Sequence, residues 1–192
     1  MARCPRSADR RSWRRGGIRV MLGIAASLLR MVAEYTADDP GATECGSRLT
    51  ALRSDALDAA EADGVTSADF GAALALSTED PDREPRVRKA AVDAAASSAR
   101  LGDVGIRLLP EVRLLAEIGN PHLAADLAVA AEALGAGLAG AVINLRANLQ
   151  IARRHDAAAS DLADLGAQAS RLAEAARAAR QIAEEASSRF ED

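Results

Sequence analysis

Asn144 and Asn148 stand four residues apart inside an otherwise apolar stretch, the spacing that puts two side chains on one face of a helix. Asparagine is a poor helix former, and an amide buried there without a partner costs about 1–3 kcal/mol. The pair therefore predicts either hydrogen bonds to neighbouring helices or a polar ligand. Upstream, Gly119-Asn120-Pro121 reads as helix terminator, N-cap and first-turn residue. Asp126 follows near the start of the next helix, where the macrodipole favours an acid. Asp126 and Asn144 are 18 residues apart, five full turns, so they point the same way while lying about 27 Å apart along one axis. One small ligand cannot touch both on a straight helix. If these residues act together, a partner subunit or neighbouring helices must close that distance, and the spacing predicts a homodimer.

Other chemistries find little support. Cys4 and Cys45 make no disulfide framework and match no metal-ligand spacing. His122 and His155 lie far apart, outside any E-x-x-H or H-E-x-x-H motif, so no metal is expected. No apolar run approaches membrane-spanning length, and no membrane partner is expected. Aromatic residues are 2% of the 192-residue chain, too few for a base-stacking surface. The net charge of −4 hides an asymmetry, because residues 1–19 carry seven arginines and one acid and leave about −10 for the rest. An acidic body does not suit nucleic acid.

Composition also bounds the elements that must position these residues. About a quarter of the chain is alanine, the best helix former, and the scarcity of aromatic residues argues against a sandwich or barrel. Residues 1–20 read as a basic tail, disordered or not native to the fold. Its paired arginines ahead of Ile18 imitate a secretion signal, but Arg19 and Arg30 bracket the apolar run and no small-x-small cleavage site follows. The helical domain is expected over 21–192. A first helix covers 21–35 and stops at Asp38-Asp39-Pro40-Gly41. A second covers 47–62, with Leu49, Leu52, Ala56 and Ala59 on one face and Asp63-Gly64 as its end. Thr66 then caps a short helix, with Asp69 as its capping-box acid. Pro85 suits the first turn of a helix running to about Arg100. Gly102-Asp103 breaks that helix, and Pro110 bends the segment that follows.

Two long helices close the chain. Leu127, Ala130, Leu134, Leu138, Ala141, Leu145 and Leu149 keep one stripe of a helix starting near Leu123. Leu162, Leu165, Ala169, Leu172, Ala176, Ala179, Ala183 and Ala186 form a small-residue heptad seam. The expected fold is all-α, an antiparallel up-and-down bundle.

Several of these stretches together resemble a known family. Gly119-Asn120, Asp126-Leu127, Val129-Ala130-Ala131, Gly140 to Asn144 and Asn148-Leu149 are similar to the cyclodeaminase domain of formiminotransferase-cyclodeaminase. Single-domain methenyltetrahydrofolate cyclohydrolases of the serine-cycle type share the pattern. Met31-Val32-Ala33 with Tyr35-Thr36, and Arg88 ahead of Ala90-Ala91, extend the likeness over about 22–150. The resemblance implies an all-helical, dimeric or larger cytoplasmic protein. Its substrate would be 5-formimino- or 5,10-methenyl-tetrahydrofolate, handled without a metal or redox cofactor. It further implies Asp126 for proton transfer or pterin binding, Asn120, Asn144 and Asn148 for orientation, and Arg88 for the folate's glutamate carboxylates.

The chain also departs from the family. The family's G-G-G-S stretch in the first helix is replaced by arginine-rich sequence that keeps only Gly16-Gly17. Ala125 stands where serine is usual, and Glu34 where asparagine is common. The acid ahead of Phe70 falls on Thr66, and Asp63 substitutes only if the connecting loop is shifted. These departures support a second reading, a catalytically impaired member that binds folate or serves as a helical interaction protein.

Overall fold

The computed structural model describes residues 9–36 and 39–190, with side chains from Gly17 onward. Five helices make up the bundle: α1 (Asp9–Glu34), α2 (Pro40–Leu74), α3 (Arg83–Ile118), α4 (Ala124–Arg154) and α5 (Ala159–Ser187). Each runs antiparallel to the one before it. The order is visible in the contacts: Arg48 meets Glu111 and Asp63 meets Ser97 between α2 and α3, and Ser98 meets Asn148 between α3 and α4. α1 lies against α2 and α4, while α5 covers the other side of α3 and α4.

Short side chains let these helices approach closely. Leu22, fully buried, fits into the space left by two glycines on different helices. A Cβ added at Gly137 of α4 would fall 2.8 Å from Leu22, and one at Gly105 of α3 would fall 2.7 Å from Leu138. Neither glycine can gain a side chain without displacing a leucine. The stripe predicted along α4 is buried from Leu127 to Leu149, and the α5 seam is buried except at half-buried Leu165.

Three expected boundaries are corrected. α1 starts at Asp9 rather than Met21, so the division drawn at residue 20 falls inside a helix, with Ile18 buried. Residues 1–8 of the basic stretch lie outside the described residues. α2 starts at Pro40, where the Asp39 carboxylate accepts from the N–H groups of Gly41 (2.7 Å) and Ala42 (3.3 Å). It continues through Gly64, and Thr66, instead of capping a new helix, donates its hydroxyl to the Ala62 carbonyl within the same one. α3 likewise runs unbroken for 36 residues through Gly102 and Pro110. Gly102 admits the Leu172 side chain of α5 rather than ending a helix. Pro110 sits on an exposed face, where water can satisfy the carbonyl its ring leaves without a partner.

The expectation about apolar length also needs correction. The segment Pro121–Arg154 is long and apolar enough to cross a membrane by length and composition alone. Most of its apolar window is buried among the other helices, as in the core helix of a bundle.

Candidate functional site

The structure separates the expected site residues into two groups at opposite ends of α4. At one end α1 stops, and a 3-10 turn, Pro121–Leu123, leads into α4. Asn120 holds this corner together. Its side-chain oxygen accepts from the His122 N–H (3.0 Å) and its amide nitrogen donates to the Tyr35 carbonyl (3.2 Å). Its backbone N–H donates to the Thr36 hydroxyl (3.1 Å), which itself donates to the Val32 carbonyl. Asn120 is thus a cap and a tie between α1 and α4. Asn120→Ala should lower the unfolding free energy by about 1 kcal/mol, measurable by urea denaturation.

Asp126, in the first turn of α4, is half-buried. It has no ion pair and accepts no hydrogen bond among the described residues. Its carboxylate therefore remains available to a ligand. A polar cavity of about 400 Å³ lies near this end, where the end of α1 faces the start of α2 beside Thr36, Thr43 and Ser47.

At the other end, Asn148 donates to the Ser98 hydroxyl at 3.4 Å, and Ser98 in turn donates to the Ala94 carbonyl. Next to it on α3, buried Ser97 donates to Asp63 of α2 (3.0 Å). Asp63 thus faces α3 with no shifted loop, since α2 is one continuous helix there. Asn144 is half-buried, one turn from Asn148, and has no hydrogen-bond partner among the described residues. Both amides are half-buried rather than enclosed in the core. Arg88 lies further along, its guanidinium donating to the Asp156 carbonyl at 3.4 Å beside the turn between α4 and α5. Close by, His155 pairs with Glu84 at 2.6 Å, and this contact holds the Glu84 carboxyl below its ordinary range.

Sequence reasoning missed Ser97, Ser98 and the Asp63 contact. A signal was available, since two serines interrupt the alanines of α3's buried face. It also missed the core ion pair of Glu111, where Arg48 donates to both carboxylate oxygens at 2.8 and 2.9 Å. Burial, with Glu111 beside it, pushes the Cys45 thiol up to about 12, so it is no nucleophile. Among the described residues no group of three or more His, Cys, Asp or Glu side chains could hold a metal ion.

The two ends differ in chemistry. The Asn144 end offers amides and hydroxyls able to orient a polar ring, with the Asp63 carboxylate engaged by Ser97 and the Arg88 guanidinium further along, whereas the Asp126 end offers an uncommitted carboxylate. α4 is unbroken between them, so the distance of about 27 Å persists within one chain.

No curated protein sequence matches this chain. Among solved structures it is similar to a formiminotetrahydrofolate cyclodeaminase from Thermotoga maritima, with 22% identity, a TM-score of 0.70, and 88% of this chain covering 87% of that one. That likeness shows the fold. The profile of the formiminotransferase-cyclodeaminase family matches residues 16–165, a span that takes in Asn120, Asp126, Asn144 and Asn148, and the chain belongs to that family.

Proposed function

We propose that this protein is a folate one-carbon enzyme that closes 5-formimino-tetrahydrofolate to the 5,10-methenyl form or hydrolyses the methenyl form. Asp126 carries this reading beyond the family match, because its carboxylate is committed to no structural contact among the described residues. Ring closure expels ammonia from the formimino carbon and hydrolysis adds water to the methenyl carbon. Each needs a proton moved at the reacting group, which is the task of a positioned acid or base. Asp126 supplies that group or holds the pterin. Asn144 and Asn148 supply fixed dipoles that orient the ring. Asn120 contributes through the corner it ties, and Arg88 offers a cation to the glutamate carboxylates. A homodimer brings the two ends together, and folate and a second copy are the partners this reading requires.

The test follows the near-ultraviolet absorbance of 5,10-methenyl-tetrahydrofolate, and ammonia release from the formimino compound, against enzyme-free controls. Acceleration of neither reaction by folded protein refutes the proposal. Asn144→Ala gives a narrower expectation. It removes no hydrogen bond among the described residues and replaces a poor helix former with the best one. Stability should stay level or rise by about 0.5 kcal/mol, while turnover falls about tenfold through a lost orienting contact.

A further inference from the structure

Three helices bring hydroxyls, an amide and a carboxylate together at the Asn144 end of the bundle. Ser97 and Ser98, consecutive on α3, are only 1% and 2% exposed. Successive side chains on a helix point about 100° apart, and these two turn to different neighbours. Ser97 meets Asp63 of α2 at 3.0 Å, and Ser98 meets Asn148 of α4 at 3.4 Å. Asp63 and Asn148 are each half-buried, so each lies against a serine on one side and keeps part of its surface open.

The direction of each hydrogen bond is fixed by its partners. A backbone carbonyl only accepts, so the Ser98 hydroxyl, 3.0 Å from the Ala94 carbonyl, gives its proton to that oxygen. The Ser98 oxygen is left to accept, and Asn148 must turn its NH2 group toward it. The side-chain oxygen of Asn148 is thereby directed away from Ser98, with no partner among the described residues. An ionised carboxylate likewise only accepts. Ser97 therefore donates to one Asp63 oxygen, and the other has no partner among the described residues. Asn144 has no such neighbour and can present either end of its amide.

We propose that Ser97 and Ser98 are positioning residues that set this end of the site to accept hydrogen bonds, so that Asp63 and Asn148 read the donor edge of a reduced pterin. That ring carries a 2-amino group and ring N–H groups, and a carboxylate oxygen together with an amide oxygen answers such donors. The inference rests on the folate substrate of the proposed function. It adds Asp63 to the residues that touch the ligand, with Ser97 and Ser98 acting through their neighbours. A ligand that lacks the donor leaves a site acceptor unpaired, which is how a site built on hydrogen bonds discriminates most strongly.

The test uses the full chain and 5-formyl-tetrahydrofolate as a stable probe, beside a counterpart whose 2-amino group is replaced by methyl, with both affinities read by calorimetry. The wild type should bind the amino compound at least about tenfold more tightly than the methyl one. Asn148→Asp, whose carboxylate only accepts, should bind the amino compound at least about tenfold more tightly than Asn148→Leu. Asp63→Asn should lose about tenfold or more, because Ser97 engages the amide oxygen and an NH2 group then faces the ligand's donors. Ser98→Ala frees the Asn148 amide to turn, and Ser97→Ala leaves Asp63 unheld. Each places a better helix former in α3, so helical circular dichroism should be retained while affinity falls about threefold or more. Equal wild-type affinity for the two probes overturns the inference, as does Asn148→Asp binding as weakly as Asn148→Leu or unchanged affinity in both serine variants. Turnover of the folate substrates alongside any of these results sustains the reading beneath it. Discrimination between the probes without turnover sustains the inference and refutes the enzymatic reading. Binding of neither probe and no turnover refute both.

Discussion

Asp126→Asn should lower turnover of the folate substrate by about 100-fold or more, the range found when a general acid or base is removed. The unfolding free energy should fall by less than about 1 kcal/mol. The only structural loss is that of a negative charge near the start of α4, where a helix dipole rewards an acid by about 0.3–1 kcal/mol. No ion pair or hydrogen bond among the described residues is broken. Initial rates with the methenyl and formimino substrates, set beside urea denaturation of the same samples, separate the two roles. Turnover reduced only as far as stability is reduced would make Asp126 a helix-start residue and nothing more.

Arg48→Ala should have the largest effect on stability, about 3 kcal/mol. Glu111 is only 6% exposed. Burial pushes its carboxyl up, but hydrogen bonds from Arg48 and Cys45 and the charge of Arg48 outweigh burial and hold it below the ordinary range. A group held low stabilises the fold above its unfolded pKa, and that contribution is lost as pH falls through the folded value. In Arg48→Ala the guanidinium is gone, so burial dominates and the carboxyl titrates above its ordinary range. The variant's deficit should therefore be greatest near neutral pH and should shrink as pH is lowered toward 4. Urea denaturation at pH 7 and pH 4 measures it, and an equal deficit at both would show that packing, not charge, is what Arg48 supplies.

The α4 and α5 helices were legible because their buried positions repeat every three or four residues without interruption, as Leu134, Leu138, Ala141 and Leu145 show. α2 and α3 look broken in the sequence because Gly64, Gly102 and Pro110 are local stop signals, and packing or an exposed position overrides each. Gly102 illustrates the ambiguity: the missing Cβ that ends one helix admits Leu172 in another. Among site residues, Asn144 and Asn148 could be singled out because they interrupt an apolar stripe. Arg48 and Glu111 could not, since an isolated acid or arginine looks the same whether its partner is water or a residue 63 positions away. The division of the site between two ends of α4 was readable from helical rise alone.

The fit of Leu22 between Gly105 and Gly137 has a consequence for the protein's biosynthesis. α1 leaves the ribosome first, yet of the two helices that receive its leucine α3 ends only at Ile118 and α4 only at Arg154, the latter more than a hundred residues after α1 is complete. At ordinary elongation rates that delay is on the order of 10 s. Until α4 emerges, the apolar stripe of Leu22, Leu29 and Val32 has only α2 and a partly made α3 to lie against. The α3–α4 pair, joined by a short turn, is positioned to assemble before α1 docks. The nascent chain should therefore depend on chaperones most while α3 is emerging, and that dependence should end once Gly137 is free to receive Leu22.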